Sequence, residues 1–299
     1  MLGDSANHCS DGNLSNAANP CPRYLHWGAG LTNVFDCSCY DPGWRGDREL
    51  PVIVVPGITP AGVYTADACV NFLGSSSNII ACLGNGTSIS APTANGIAAC
   101  VISADSRMVG WPEIVKLVLL ATAHNVDDRE WTDYFQWWNR WDGRDGAGVI
   151  SGADAVWFAR NHQTITENNA AVENGISTGY LTTADEGTQK QYNILVPNPM
   201  PSGKHLRVVL TWSSSPCEIA PVANDLSDLD LYMTGDVNGY YCTSWDDNVE
   251  MIDVTNSDLT AGSSYYVVME VGAMRISACA YADWIKYAIG WTWVKDHAD

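Results

Sequence analysis

From residue 190 onward the chain is cut into seven short runs rich in β-branched and aromatic residues: "YNILVP", "HLRVVLTWS", "DLDLYMTG", "GYYCTSW", "VEMIDV", "SYYVVMEVG" and "WIKYAIGWTWV", separated by Gly, Asn, Asp and Ser. Runs that short, closed by turn formers and without a helix-length pattern, predict an antiparallel β-sandwich or jelly roll over 190–299. The first half is patterned differently. "ELPVIVVPG" is a continuous apolar run closed by Pro56-Gly57, which predicts a strand buried on both faces in a parallel sheet. A glycine-rich turn follows, then a predicted helix from Ser90 to about Asp105. "GWPEIVKLVLLATAHNV" predicts a second helix, with Pro112 at its start and Ile114, Val115, Val118 and Leu119 at helical spacing. Strand, glycine-rich turn, helix, helix is the order of an α/β domain, assigned to 1–165. Between the halves, "TENNAAVENGISTGYLTTADEGTQ" is polar and unpatterned, and reads as a connection over 166–189 or as irregular edge strands.

Charge and cysteine usage narrow the function classes. Fifteen Lys and Arg against thirty-four Asp and Glu give a formal charge of −19, spread along the chain. Nucleic acid is a poor partner for such a surface, because phosphate neutralisation needs a basic face. The acidity fits a soluble extracellular surface, or a protein working in acid or high salt. Ten cysteines avoid the C-x-x-C pairs of zinc sites, the closest pair being Cys37-Ser-Cys39, and point to disulfides in a secreted protein. Seven of them precede residue 101, which leaves Cys217, Cys242 and Cys279 to the C-terminal half. The first forty-eight residues, rich in Gly, Asn, Asp, Pro and Cys, read as loops tied down by such bridges. No run of eighteen apolar residues occurs, so no helical membrane span is expected. "MLGDSANHCSDG" has neither the basic nor the apolar region of a secretory signal as written.

The stretch "GNGTSISAPTANG" carries the sharpest chemical signal. A serine hydroxyl attacks a carbonyl only when a base takes its proton and donors await the oxyanion. A tight turn feeding a helix exposes the hydroxyl and aims unpaired N–H groups at the reacting oxygen. Gly84, Gly86 and Gly96 allow close approach, and Pro92 suits the first turn of a helix. By residue pattern alone Ser88 is either such a nucleophile or the cap of an ordinary helix.

"GNGTSISAPTANGIAA" resembles the active-site serine signature of the subtilisin-like serine proteases, G-T-S-x-[AS]-[AS]-P followed by a small-residue helix. "PVIVVPG" is similar to that family's strand and Pro-Gly turn ahead of the serine, and "WPEIVKLVLLATA" to the helix after it. "GRDGAGVISGADAV" resembles the return and helix that close the catalytic domain. The resemblance implies an incomplete subtilisin-like parallel sheet with helices, Ser88 as nucleophile within the turn made by Gly86, Thr87 and Pro92, and protein or peptide substrates. "LRVVLTWSSSP" with "NDLSDLDLYMTG" resembles, more weakly, the β-sandwich appended to many secreted subtilases.

The departures from the family pattern are as informative. The family carries Asp, His and Ser in that order, the His in an H-G-T or H-G-S context, yet none of His8, His26, His124, His162, His205 or His297 is so followed. No D-[ST]-G stands upstream of Ser88 either. The expectation is therefore the C-terminal part of a longer serine endopeptidase, inactive by itself, with a degenerate homologue acting as a secreted, non-catalytic binding module as the alternative. For the oxyanion, "LGDSANHCSDG" offers Asp4, in a Gly-Asp-Ser that resembles the acid-acting sedolisins, or Asn7, alongside the Ser88 backbone N–H. A carboxyl donates only when protonated, so Asp4 in that role implies work at low pH.

Other features have two readings each. Trp131, Tyr134, Phe135, Trp138 and Trp141 recur at helical steps, as a carbohydrate or substrate platform or as interdomain packing. Asp225, Asp228, Asp230 and Asp236 form either a structural calcium loop or, for Asp228 and Asp230, the outward face of a strand. Catalysis itself is expected to need no cofactor. Asn85-Gly-Thr fits a glycosylation sequon that falls on the candidate active site.

Overall fold

A computed structural model describes residues 53, 55, 58–63, 81–85, 87–124, 147–213, 227–234, 240–243, 248–274 and 284–295, the side chains of 58–63, 81–85 and 87–89 excepted. The α/β portion contains β1 (Ile58–Val63), β2 (Ala81–Asn85), α1 (Thr87–Ala104), α2 (Pro112–Ala121), the two-residue strands β3 (Ala123–His124) and β4 (Val149–Ile150), and α3 (Gly152–Asn161). α2 starts where the sequence predicts, with Pro112 in its first turn and Glu113 beside it at the positive helix end. It buries Ile114, Leu117, Val118, Leu119 and Leu120, and stops at Thr122, whose hydroxyl donates back to the Val118 carbonyl at 2.7 Å. α3 is capped by Ser151, whose Oγ accepts from the Asp154 N–H.

Two expectations for this portion need correction. α1 begins at Thr87 rather than Ser90, so Pro92 is the sixth residue of the helix and not part of its first turn. Lacking an N–H, Pro92 leaves the Ser88 carbonyl without its partner one turn on. Among the described residues the strands before residue 163 pair antiparallel, β1 with β2 and β3 with β4, in place of the expected parallel sheet. Val55 is buried as predicted, but Ile53 lies in a bend and the ladder starts beyond Pro56-Gly57. Even there the register shifts between Thr59 and Gly62, across Pro60, which has no donor for a ladder bond.

The β-rich portion holds β5 (Gln163–Thr164), β6 (Gly175–Leu181), β7 (Gln189–Leu195), β8 (Lys204–Trp212), β9 (Leu229–Thr234), β10 (Tyr241–Cys242), β11 (Val249–Val254), β12 (Ser264–Val271) and β13 (Ile285–Lys295). All seven runs read from the sequence are strands. They form a five-stranded sheet in the order β11-β8-β13-β6-β5 and a four-stranded sheet β10-β9-β12-β7. β6 lies inside the stretch read as a connection or as irregular edge strands, and it is an interior strand, paired with β13 from Ile285↔Leu181 to Trp291↔Gly175 and with β5 on its other side. Its polar residues misled because Ser177 is buried within the sheet rather than exposed at an edge.

One face of the five-stranded sheet meets the other sheet, where the Tyr192 and Tyr287 hydroxyls lie 3.1 Å apart and Trp212 Nε1 donates to the Ser227 carbonyl. Its other face carries α2. Gly290 permits that approach, since a Cβ there would meet the Gly175 carbonyl oxygen at 2.7 Å and Leu117 at 3.1 Å. β8 is accordingly buried along almost its whole length, and β12 alternates. No described helix is long and apolar enough to cross a membrane.

Candidate functional site

β2 ends at Asn85 and α1 starts at Thr87, so Gly86 alone separates strand from helix and Ser88 falls in the first helical turn. The first backbone N–H groups of a helix have no intrahelical partner, and Ser88 lies among the residues that carry them. Asp4, Asn7, Asp225, Asp236, the five aromatic residues from Trp131 to Trp141, and Gly86 itself lie outside the described residues. Asp228 and Asp230 lie on the half-exposed face of β9 and its approach, as the alternation predicts. Burial, then the Asp228 charge, pushes the Asp230 carboxyl up to about 7. Among the described residues no group of three or more His, Cys, Asp or Glu could hold a metal ion. Cys100 is an exposed free thiol on α1.

Three histidines are described, and each lies against an aspartate. His205 and Asp253 are sealed in the joint between helices and sheet, 3.2 Å apart with side-chain exposures of 4% and 3%. Arg207, fully buried, donates through Nε and Nη2 to the two Asp253 oxygens at 2.7 and 3.0 Å. Its Nη1 donates to the carbonyls of Leu120, Ala123 and Ala147 at 2.9 to 3.0 Å, so one guanidinium ties α2, β3 and the approach to β4 onto the sheet. Burial alone would push the Asp253 carboxyl up, but the charges of Arg207 and His205 hold it below its ordinary value. His162 caps the end of α3, with Nδ1 directed at the Phe158 and Ala159 carbonyls and Nε2 3.7 Å from Asp105. Burial lowers its pKa, and the nearby Arg107 adds to that.

The third pair is open to solvent. His124, on β3, places Nε2 2.8 Å from Oδ2 of Asp154, in the first turn of α3, and the Ser151 hydroxyl donates to the same oxygen at 2.7 Å. The Asp154 side chain is 40% exposed. The His124 hydrogen bond, with help from Ser151 and Lys204, holds its carboxyl down at about 2 despite partial burial. Around the pair is a cleft of about 160 Å³ lined by Trp157, Lys204, Thr292 and Lys295 among others. Nothing local in the sequence marks this cleft, because His124 lacks a Gly-Thr or Gly-Ser context. The signal available was the Ser151-x-x-Asp154 spacing of a helix N-cap thirty residues downstream.

Residues 29–148 match the model of the Subtilase family. No curated protein matches the chain. Among solved structures, the chain is similar to PliG, a periplasmic lysozyme inhibitor of g-type lysozyme, from Aeromonas hydrophila, at 10% identity over 44% of this chain and 93% of that one, TM-score 0.22. The Salmonella Typhimurium PliG gives 11% identity over 44% and 96%, TM-score 0.20. Scores of that size bear on neither the fold nor the function of this protein.

Proposed function

We propose that this chain carries the nucleophile-bearing part of a subtilisin-like serine endopeptidase, followed by a β-sandwich domain built from the four- and five-stranded sheets. The supporting observation is that the Subtilase match over 29–148 encloses the passage from β2 through Gly86 into α1, the segment that bears Ser88. Ser88 Oγ bonds to the scissile carbonyl carbon while a base takes its proton, the amine leaves with a proton returned by that base, and water then hydrolyses the acyl-enzyme. The Ser88 N–H, together with Asp4 or Asn7, donates to the oxyanion. The base in this proposal is an imidazole on a preceding segment of a longer polypeptide, and the setting is extracellular, with proteins or peptides as substrates.

The test is labelling by a fluorophosphonate in a polypeptide that joins this chain to the proposed base-bearing segment. Labelling that disappears in Ser88→Ala is expected. A folded, extended protein that takes no label would instead make the chain a non-catalytic binding module on a protease scaffold.

A further inference from the structure

We propose that His162 works a proton-operated latch between the end of α1 and β5, in which acid transfers Asp105 from Arg107 to the imidazole and frees Arg107 from the sheet edge. The latch lies at the far end of the helix that carries Ser88 and does not depend on whether that serine is a nucleophile. Its geometry turns on one oxygen. In the turn after α1, Asp105 Oδ1 accepts from the Arg107 backbone N–H and from Nε, both at 2.9 Å. Oδ2 accepts from Nε at 2.8 Å and lies 2.6 Å from Nη2. Nη1 of the same guanidinium donates to the Thr164 hydroxyl of β5, the outermost strand of the five-stranded sheet. Oδ2 also faces His162 Nε2 at 3.7 Å, with the imidazole 5% and the carboxylate 9% exposed.

The surroundings of the two ring nitrogens fix where the proton sits. Carbonyl oxygens can only accept, so Nδ1, 3.2 and 3.0 Å from the Phe158 and Ala159 carbonyls, carries the proton of the neutral ring. Nε2 then turns a lone pair toward a carboxylate, an arrangement that becomes attractive when a second proton arrives. The charged groups set against the ring are Asp105 and Arg107, both on the turn after α1. α3 contributes the two carbonyls and the Phe158 ring, and β5 the neutral Thr164 hydroxyl beside Arg107. Burial and then Arg107 disfavour the imidazolium, while the carbonyls and Asp105 favour it, and the balance lies below the ordinary 6.5. The contribution of the neutral ring to stability is therefore complete above pH 6.5 and is lost as pH falls below it. Once the ring is charged, two cations compete for Oδ2. The Arg107 side chain is 54% exposed and can be hydrated where it stands, whereas the imidazolium is sealed in. Arg107 is the group that leaves, and Thr164 loses its tie to the turn.

Imidazole nitrogen NMR on the intact chain tests the first half of this, with the His162 signals identified by their loss in His162→Asn. The neutral ring is expected to carry its proton on Nδ1 and to titrate below 6.5; Arg107→Met should move that midpoint up, and Asp105→Asn should move it down. Hydrogen exchange, corrected for the intrinsic effect of pH, tests the second half. Between pH 7.5 and pH 5 the amides of 107–109 and 163–165 should open about tenfold more readily, the factor expected for one charge-assisted hydrogen bond. Arg107→Met should show the raised exchange at both pH values, and His162→Asn, which keeps a donor for the α3 carbonyls, at neither. Arg107 is half exposed, so its variant keeps the test valid even where His162→Asn does not fold, as circular dichroism would report. A neutral ring protonated on Nε2, a midpoint at or above 6.5, a midpoint indifferent to Arg107→Met, or acid-induced opening that is absent from these amides or persists in His162→Asn overturns the proposal.

Discussion

Two His–Asp pairs in this molecule share their chemistry and differ in what surrounds them. His205 and Asp253 are sealed beside Arg207, whose guanidinium also donates to three backbone carbonyls and so holds α2, β3 and the approach to β4 against the sheet. His124 and Asp154 meet at a shorter distance, 2.8 Å, yet Asp154 is 40% exposed and the cleft beside it is lined by two further cations. A sealed ionic cluster is fully desolvated and loses much if one partner is removed, whereas a half-exposed pair is screened by water and contributes little. The same residue pair is thus a sealed joint in one place and a solvent-open contact between β3 and α3 in the other.

Removing the central cation of the joint should have the largest effect. Arg207→Leu leaves Asp253 charged or forced to protonate in a sealed site, and leaves the Leu120, Ala123 and Ala147 carbonyls without that donor. A loss of about 3–5 kcal/mol is expected, read as a lower urea midpoint or as insoluble protein. A midpoint within experimental error of the parent would mean that the helices are not anchored through this residue. The joint is steric as well as ionic: Gly290→Ala places a methyl 2.7 Å from the Gly175 carbonyl oxygen, where backbone rather than a flexible side chain must yield. Thermal unfolding should report a loss of about 1–3 kcal/mol.

How far the sequence anticipated these arrangements depends on the range of the interaction. The seven strands of the β-rich half were legible because alternation and turn residues are local, and α2 was legible because Pro112 and the apolar face sit within ten residues of each other. The interior place of β6 was not legible because Gly175, Ser177, Thr178 and Gly179 look like loop or edge until Tyr287 and Trp291 of β13 lie over them. The start of α1 was misplaced by reading Pro92 as a first-turn proline, although Pro in the second turn is tolerated here with the loss of one backbone bond. Neither His–Asp pair was legible, since His124 and Asp154 are thirty residues apart and His205 and Asp253 forty-eight, and only the packing of helices on the sheet brings them together. The existence of α1 is the opposite case, being set by local residues between Thr87 and Ala104.

Asp230 offers a contrast in sign. Burial and the neighbouring Asp228 raise its carboxyl from 3.8 to about 7, so the folded state binds this proton more tightly than the unfolded chain. Its contribution is complete below pH 3.8 and is lost as pH rises toward 7. Asp230→Asn should therefore flatten the decline in stability across that window, measured as urea midpoints at pH 4, 5.5 and 7.5. An unchanged pH profile in the variant would remove Asp230 as its source.

The smallest effect expected is at the open pair, and it runs the other way. The His124 hydrogen bond lowers the Asp154 carboxyl from 3.8 to about 2, so the folded state favours the ionised form. This contribution is present above pH 3.8 and disappears as pH falls toward 2. Solvent reaches 40% of the Asp154 side chain, which screens the interaction and limits its weight in stability. Asp154→Asn should shift the urea midpoint at pH 7 far less than Arg207→Leu does, and should remove the Asp154 part of the acid-induced loss between pH 4 and pH 2. Were Asp154→Asn as damaging as the Arg207 substitution, the cleft pair would be a second structural joint, and the distinction between a closed cluster and an open one would fail.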